Sequence, residues 1–486
     1  MPSQLTTRQQ VNGYRFLLRR LEHALIRRDV RMLHDPMRAH TRSLSVGIIL
    51  AVLITAGCGV YGLIRPAGSV GKSKIIVSKE SGGLYVVIGN RIHPVLNVAS
   101  ARLIAGSAEK PSSVKESKLS DYDRGPLIGI PGAPQTLPVA EDPANWTVCD
   151  TVNVPSGQGM RSGGVRTAVI VGPGDEESAM SPLKGRDAVL VSVGDTEYLV
   201  YDGKRAVIKE DDSAVRRALN LDQVTPRPIS AGLLKSIPEV PELETPEIDR
   251  SKRGVLGMKA GSIARVTGLP GEPDTLYAVL PGGLQRISPL VAEVLRYADT
   301  KGESEVKTVS AAEAAAQPLV STLAVGHFPT STPDVVTPSA APVTCFTWFR
   351  PSSASPARVG VLVGMSLPVP SGREPTDLVT ADGPGPNLDQ SYIPPASGYY
   401  VRMTGTGESS RRAESLVYVA DTGTRYGVPD PKTGQVLGLG ESPQLAPWPI
   451  VSLLVPGPTL AQENALVIRD TMKQVGGGQT VAPPSK

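Results

Sequence analysis

The chain has 486 residues, too many for one compact core and enough for about two to four units of ordinary size. Aromatics make up only 4%, and 50 Gly and 45 Pro interrupt the sequence throughout, which disfavours long helices and favours short strands joined by turns. The net charge of +4 conceals an asymmetry: residues 1–42 hold nine Arg, no Lys and three acids, whereas the rest has 41 bases against 43 acids. With no basic stripe interleaved with aromatics in that remainder, a nucleic-acid-binding large domain is excluded.

The first predicted element is an amphipathic helix over residues 5–33. Val11, Tyr14, Leu18, Leu21 and Leu25 recur at three- and four-residue intervals, and Arg15, Arg19, Arg20, Arg27 and Arg28 occupy the rest of its surface. Two readings stay open for it. One is a helix resting on anionic lipid headgroups; the other is a docking helix for a cytoplasmic partner.

The next element is a membrane span. Between Arg42 and Arg65 lie 22 residues without a charge, long enough as a helix to cross a hydrocarbon core of about 30 Å. The run is apolar all round, unlike the one-sided stripe of a soluble core helix. Nine Arg precede it, so the positive-inside rule puts the N-terminus in the cytoplasm and everything after residue 64 outside. A cleaved signal peptide does not have a 42-residue charged region. Thr55-Ala56-Gly57-Cys58 lacks the leucine that a lipoprotein cleavage site carries three positions before its cysteine.

Just past the span, Pro66-Ala-Gly-Ser-Val-Gly-Lys-Ser73 matches a phosphate-cradling loop except at its first position, where Pro66 replaces glycine. Gly71, Lys72 and Ser73 are thereby weak nucleotide candidates, with ATP as the alternative to no cofactor at all. Such a loop needs a strand before it and a helix after it. Here a membrane helix precedes it and the strand-like Lys74-Ile-Ile-Val-Ser78 follows, so residues 65–75 read as a linker.

The exported part is expected to repeat a hairpin around one tyrosine. Tyr85, Tyr198, Tyr277 and Tyr418 each sit in a short strand that runs into a glycine-containing turn and a returning strand. Short helical patterns follow at Val98 to Ile104, Ala214 to Leu219 and Leu290 to Tyr297. Four hairpin-plus-helix repeats are assigned to residues 76–140, 196–255, 256–319 and 413–472. Residues 141–195 and 320–412 become two halves of a central domain, and 473–486 a flexible tail.

Cys149 and Cys345 are the only cysteines beyond the span, on the oxidising side, and the even pair reads as a disulfide between those halves. Metal-hydrolase and serine-hydrolase signatures are absent: no HExxH, no Cys/His cluster and no GxSxG occur. Catalytic and metal residues are therefore assigned to none.

Thr6-Thr-Arg-Gln-Gln-Val-Asn-Gly-Tyr-Arg-Phe-Leu-Leu-Arg-Arg20, His93-Pro-Val-Leu-Asn-Val-Ala-Ser-Ala-Arg-Leu103, Gly129-Ile-Pro-Gly-Ala-Pro134, Trp146-Thr-Val-Cys-Asp150 and Ala446-Pro-Trp448 resemble, in order along nearly the whole chain, the EccB family of type VII (ESX) secretion systems. The subtype looks most like the fourth ESX system. The resemblance implies a structural inner-membrane subunit that works with EccC, EccD, EccE and other EccB copies. It also implies a periplasmic part similar to four repeats around a disulfide-bearing central domain, the position that Cys149 and Cys345 match. The fold class expected is thus membrane-anchored α+β with a β-rich exported domain. Family repeats look like a phage endolysin's wall-binding subunit, which keeps cell-wall contact as an alternative. Family members are also described as ATPases, against which the imperfect segment at 66–73 weighs.

Overall fold

The computed structural model describes residues 7–28, 30–31, 36–64, 73–152, 164–172, 180–300, 302, 305–383, 385–412 and 414–471. The chain divides into two compact units, Met1–Gly71 and Lys72–Lys486.

The small unit contains two helices, α1 (Arg8–Arg27) and α2 (Pro36–Ile64). α1 starts later than its periodicity suggests because a capping box fixes its first turn: the Thr7 hydroxyl accepts the Gln10 N–H, and the Gln10 side chain accepts the Thr7 N–H. It stops at Arg28, whose left-handed backbone turns its own N–H onto the Ala24 carbonyl at 2.9 Å. Among the described residues the helix therefore spans Arg8–Arg27, within the expected 5–33, whose end residues lie outside the described ones. α2 begins at Pro36, seven residues before the uncharged run, because Met37, Arg38, Ala39 and Arg42 precede the apolar stretch but are good helix residues, and proline is tolerated at the first helical position. Its 22-residue stretch His40–Tyr61 is long and apolar enough to cross a membrane, and it is exposed throughout.

Among the described residues the large unit contains four small sheets, one large one and a two-stranded ribbon. In each small sheet three consecutive strands form an antiparallel meander, and a later strand joins parallel to the first of the three. The first sheet uses Ile75–Ser78, Leu84–Ile88 and Arg91–Pro94, with Ser112–Val114 parallel to Ile75–Ser78. The second uses Asp187–Val193, Thr196–Tyr201 and Lys204–Ile208, with Arg227–Pro228 alongside. The third uses Ile263–Val266, Thr275–Leu280 and Gly283–Ile287, with Val306–Val309 alongside. The fourth uses Gly398–Thr404, Leu416–Ala420 and Thr424–Val428, with Gln444–Pro447 alongside. Tyr85, Tyr198, Tyr277 and Tyr418 all lie on the middle strand of their meander.

Each meander is followed by a helix capped in the same way. Before α3 (Val98–Ala105), Asn97 accepts the Ser100 N–H; α4 (Glu116–Leu119) comes later in the same segment. Asp212 caps α5 (Ser213–Ala218), which precedes α6 (Ala231–Ser236). Ser288 caps α7 (Pro289–Tyr297), with proline at the first turn, and α8 (Ala311–Ala315) follows. Asp430 caps α9 (Pro431–Leu437), after which come α10 (Trp448–Val451) and α11 (Gln462–Ala465).

Two expected boundaries are corrected by these sheets. Strand Asp187–Val193 falls before residue 196, and Gly398–Thr404 before residue 413, so both lie in segments assigned to the central domain. Each instead pairs over most of its length, at 188–193 and 398–402, with the tyrosine strand of the next hairpin. An isolated two-stranded hairpin is marginal in water, and the preceding apolar segment supplies its third strand. The linker likewise ends one residue early, since Ile75 already opens a strand. The tail 473–486 lies outside the described residues.

The large sheet interleaves the two chain segments assigned to it. Its order is Thr376–Asp377, Gln390–Tyr392, Val165–Gly172, Asn145–Val152, Val343–Phe349, Arg358–Gly364 and Met180–Pro182. One face carries Trp146, Val148, Phe346 and Trp348, all fully buried. That face packs on α6 and α10 and on apolar residues of the second and fourth sheets, including Val189, Val200, Tyr399 and Val417. The central sheet is therefore the element on which the second and fourth small sheets meet.

Candidate functional site

Strands Asn145–Val152 and Val343–Phe349 run antiparallel with Trp146 opposite Trp348, Val148 opposite Phe346 and Cys149 opposite Cys345. Side chains alternate across a strand, so the tryptophans and the cysteines occupy opposite faces. Cys149 and Cys345 form a disulfide between residues 196 positions apart. It lies in a small apolar layer with Ile170, Met180 and Val343. Both cysteines are buried, so the bond closes a long loop inside packed structure. Loops of that length gain about 5 kcal/mol in the chain-entropy account.

Next to the disulfide sits a polar joint that sequence reasoning missed. Asp150 is fully buried on the tryptophan face and accepts three hydrogen bonds: from the Ser230 N–H at 2.6 Å, the Ser230 hydroxyl at 3.0 Å and the Thr167 hydroxyl at 2.8 Å. Ser230 is itself the N-cap of α6, accepting the Leu233 N–H at 3.0 Å. One carboxylate thus ties the central sheet to the helix that follows the second sheet. Asp389, also buried, accepts the Thr167 N–H at 2.7 Å and the Gly383 N–H at 2.8 Å. Arg227 completes the joint from the second sheet. It donates to the Ala341 carbonyl at 2.8 Å, the Thr344 hydroxyl at 2.6 Å and the Val336 carbonyl at 3.0 Å, and Thr344 stands opposite Asp150 in the central sheet.

Burial governs the electrostatics here. It pushes the Asp150 carboxyl up to about 6 despite the hydrogen bonds that favour its charge, and Asp389 adds to the shift. Burial alone pushes the Arg227 guanidinium down to about 10. The arrangement suits mechanical linkage: every polar atom named is consumed in joining one strand or helix to another. The sole sequence signal for Asp150 was its place beside Cys149, and none pointed to Arg227.

The other predicted residues are placed separately. Arg15, Arg19 and Arg20 lie exposed on α1, Arg27 ends that helix, and Arg28 is its exposed C-cap. Val11, Tyr14, Leu18, Leu21 and Leu25 on α1 are exposed as well, so the helix keeps an uncovered apolar stripe. Gly71 and Lys72 lie outside the described residues. Ser73 is half-buried with its hydroxyl 2.6 Å from that of Ser112, and the Lys74 N–H donates to Glu109 at 2.7 Å. A strand, Ile75–Ser78, follows instead of a helix. Among the described residues no group of three or more His, Cys, Asp or Glu is placed to hold a metal ion.

Fold and joint define a class: a protein with, among the described residues, one membrane-spanning candidate and a β-rich α+β large unit in which two of the four small sheets pack directly on a disulfide-bearing central sheet. The family described as "Type VII secretion system ESX-1, transport TM domain B" matches residues 3–474. The ESX-3 secretion system ATPase EccB3 of Mycobacterium tuberculosis (strain ATCC 25618 / H37Rv) is 37% identical over 487 residues, covering 96% of this chain and 90% of that protein. The ESX-5 secretion system ATPase EccB5 of Mycobacterium marinum is 37% identical over 478 residues, covering 96% and 94%. Among solved structures, a chain of an intact ESX-5 inner membrane complex superposes with a TM-score of 0.74 at 34% identity, covering 99% of both chains. The EccB3 dimer from the ESX-3 core complex gives 0.71 at 36% identity, covering 81% of this chain and all of that one. The chain belongs to the EccB family.

Proposed function

We infer that this chain is a structural inner-membrane subunit of a type VII (ESX) secretion machinery, with α2 as its anchor and the large unit as its periplasmic assembly domain. The observation that carries the reading is the likeness to a chain of the intact ESX-5 inner membrane complex over 99% of both chains, anchor and large unit included. The partners proposed are other copies of this chain, for which the EccB3 dimer is the precedent, and EccC, EccD and EccE. The charge step across α2 supports an N-terminus in the cytoplasm, where the arginines of α1 meet anionic headgroups or a partner subunit. The four meander-plus-helix sheets are proposed as four copies of one repeat, because each adds its fourth strand at the same place. Their limits then begin at the first strand of each meander, near residues 75, 187, 263 and 398. The fourth ESX subtype remains the subtype proposed.

Tagged full-length protein, extracted from membranes with mild detergent, tests this. Co-purification of EccC, EccD and EccE in one large particle is the expected result; elution alone as monomer or dimer overturns it. A second reading, an ATPase, is favoured by the names of the relatives. Lys72→Ala discriminates: ATP turnover and export both lost in an assembled complex would establish a nucleotide site, and a structural subunit keeps export intact.

A further inference from the structure

The described residues leave the apolar side chains of α1 uncovered. At 3.6 residues per turn, Val11, Tyr14, Leu17, Leu18, Leu21 and Leu25 fall within an arc of about 120°. All six are 39–75% exposed. One exposed leucine is ordinary, but six large apolar side chains on one helix face form a continuous patch, which marks a contact surface. Phe16 and Ile26 are also exposed, singly and off the arc.

The charged side chains are arranged round that arc. Arg15 borders it on one side and Arg20 on the other, with Arg8 and Arg19 farther round, and all four are exposed. Glu22, the one acid of the helix, lies on the border that Arg15 shares. An arginine stem can lie along an apolar surface while its guanidinium reaches a phosphate. An apolar arc rimmed by arginines is the pattern of a helix lying in the plane of a bilayer interface. A protein groove would need acids along both of its lips to meet the same rim, whereas an anionic leaflet offers phosphates on every side.

Position in the chain favours the leaflet as well. α1 ends at Arg27 and α2 begins at Pro36, so the eight residues between them, even fully extended, keep the end of α1 within about 30 Å of the start of the membrane-spanning helix. α1 is itself only about 30 Å long. A short tether of this kind holds the arc at high effective concentration beside the bilayer.

Resting on the inner-membrane reading above, we propose that α1 lies flat on the cytoplasmic leaflet, its apolar arc among the acyl chains and Arg15, Arg19 and Arg20 on the phosphates of anionic lipids. The subunit is then held by two elements of different chemistry: a span that is indifferent to headgroups and a surface helix that requires negative charge.

The test places the full chain in nanodiscs, with Cys58→Ala as background, and attaches a fluorophore to one new cysteine, at Leu18→Cys within the arc or at Gln9→Cys on the opposite side of the helix. Cys149 and Cys345 are bonded to each other and do not take the label. Quenching by a lipid with a nitroxide high on its acyl chain reads contact with the bilayer. In an equimolar mixture of phosphatidylcholine and phosphatidylglycerol, quenching is expected to be severalfold stronger at Leu18→Cys than at Gln9→Cys. The difference is expected to vanish in pure phosphatidylcholine, or when Arg15, Arg19 and Arg20 are all changed to Gln. Glutamine is about as good a helix former as arginine, so circular dichroism of that variant is expected to match the parent. Equal quenching at the two sites, indifference to phosphatidylglycerol, or undiminished quenching in the triple variant overturns the proposal. So does loss of quenching at Leu18→Cys once EccC, EccD and EccE share the nanodisc, which would give the arc to a protein partner. Co-purification of those subunits tests the subunit reading separately: a chain that keeps them while α1 shows no lipid contact sinks the docking alone.

Discussion

The first and fourth small sheets come from opposite ends of the large unit, whereas the second and third are neighbours in sequence, and the two pairs are fastened differently. The distant pair shares an apolar cluster that includes Leu103, Ile130, Tyr418, Leu437 and Leu460, and adds directional bonds to it. Arg102 donates to the Leu437 carbonyl at 2.6 Å, the Tyr426 hydroxyl to the Gly132 carbonyl at 3.1 Å, and Arg469 to the Gly129 carbonyl at 3.0 Å. The adjacent pair is held by α5 against α7 and by a cluster containing Leu199, Val215, Leu219, Ile263, Val291 and Leu295. Apolar packing is non-directional, and a short connection already limits how two neighbours can meet. Elements about three hundred residues apart have no such limit, and hydrogen bonds to backbone carbonyls supply their alignment.

The largest expected effect tests whether the central sheet serves both pairs. Replacing Cys149 and Cys345 together with serine should lower the stability of the large unit by about 5 kcal/mol, measured by denaturant unfolding. Hydrogen exchange should quicken in all four small sheets; quickening in one pair alone would break the comparison. Leu295→Ala removes a fully buried side chain of α7, for a cost of about 3–4 kcal/mol. Its exchange signature should stay within residues 187–300 and leave the first and fourth sheets unchanged.

The third prediction concerns the joint between the central sheet and α6. The Asp150 carboxyl rises from 3.8 unfolded to about 6 folded, so the folded state holds its proton over a pH range in which the unfolded chain has lost it. The corresponding stability is fully present below about pH 4 and is lost as pH rises through about 6, amounting to about 3 kcal/mol. Asp150→Asn should flatten that part of the stability profile; an unchanged profile would remove Asp150 as its source. The smallest effect belongs to the distant pair. Tyr426→Phe deletes one hydroxyl-to-carbonyl bond and should cost about 1 kcal/mol, with faster exchange confined to the first and fourth sheets.

Local order was readable wherever a residue's neighbours in sequence decide its conformation. The tyrosine hairpins with their glycine turns, the helices after them and the long uncharged run all follow from spacing within about ten residues. Pairing with a distant strand does not. Asp187–Val193 and Gly398–Thr404 look equally suited to either sheet they adjoin, and only three-dimensional packing assigns them to the second and fourth. The cysteine pair was legible because its chemistry leaves one partner. Asp150, Ser230 and Arg227 were not, because an acid, a serine and an arginine acquire a joint role only once three separate segments are folded together. One close approach was similarly silent. At Gly398 any Cβ would strike the Tyr418 hydroxyl and the Pro138 carbonyl to which that hydroxyl donates, so the glycine that opens strand Gly398–Thr404 permits a close approach that no side chain would.

The two-stranded ribbon of Leu127–Ile128 with Ile468–Arg469 gives the large unit the connectivity of a clasped belt. The buckle joins segments about 340 residues apart, so the belt closes only once residues 468–469 are available. Until then Leu103 and Ile130 lack their covering from Tyr418, Leu437 and Leu460. Contacts of such long sequence separation form slowly. A nascent chain that is delivered start-first therefore stays unfastened until residue 469 has emerged, and a nonsense codon anywhere before residue 468 leaves the belt permanently open.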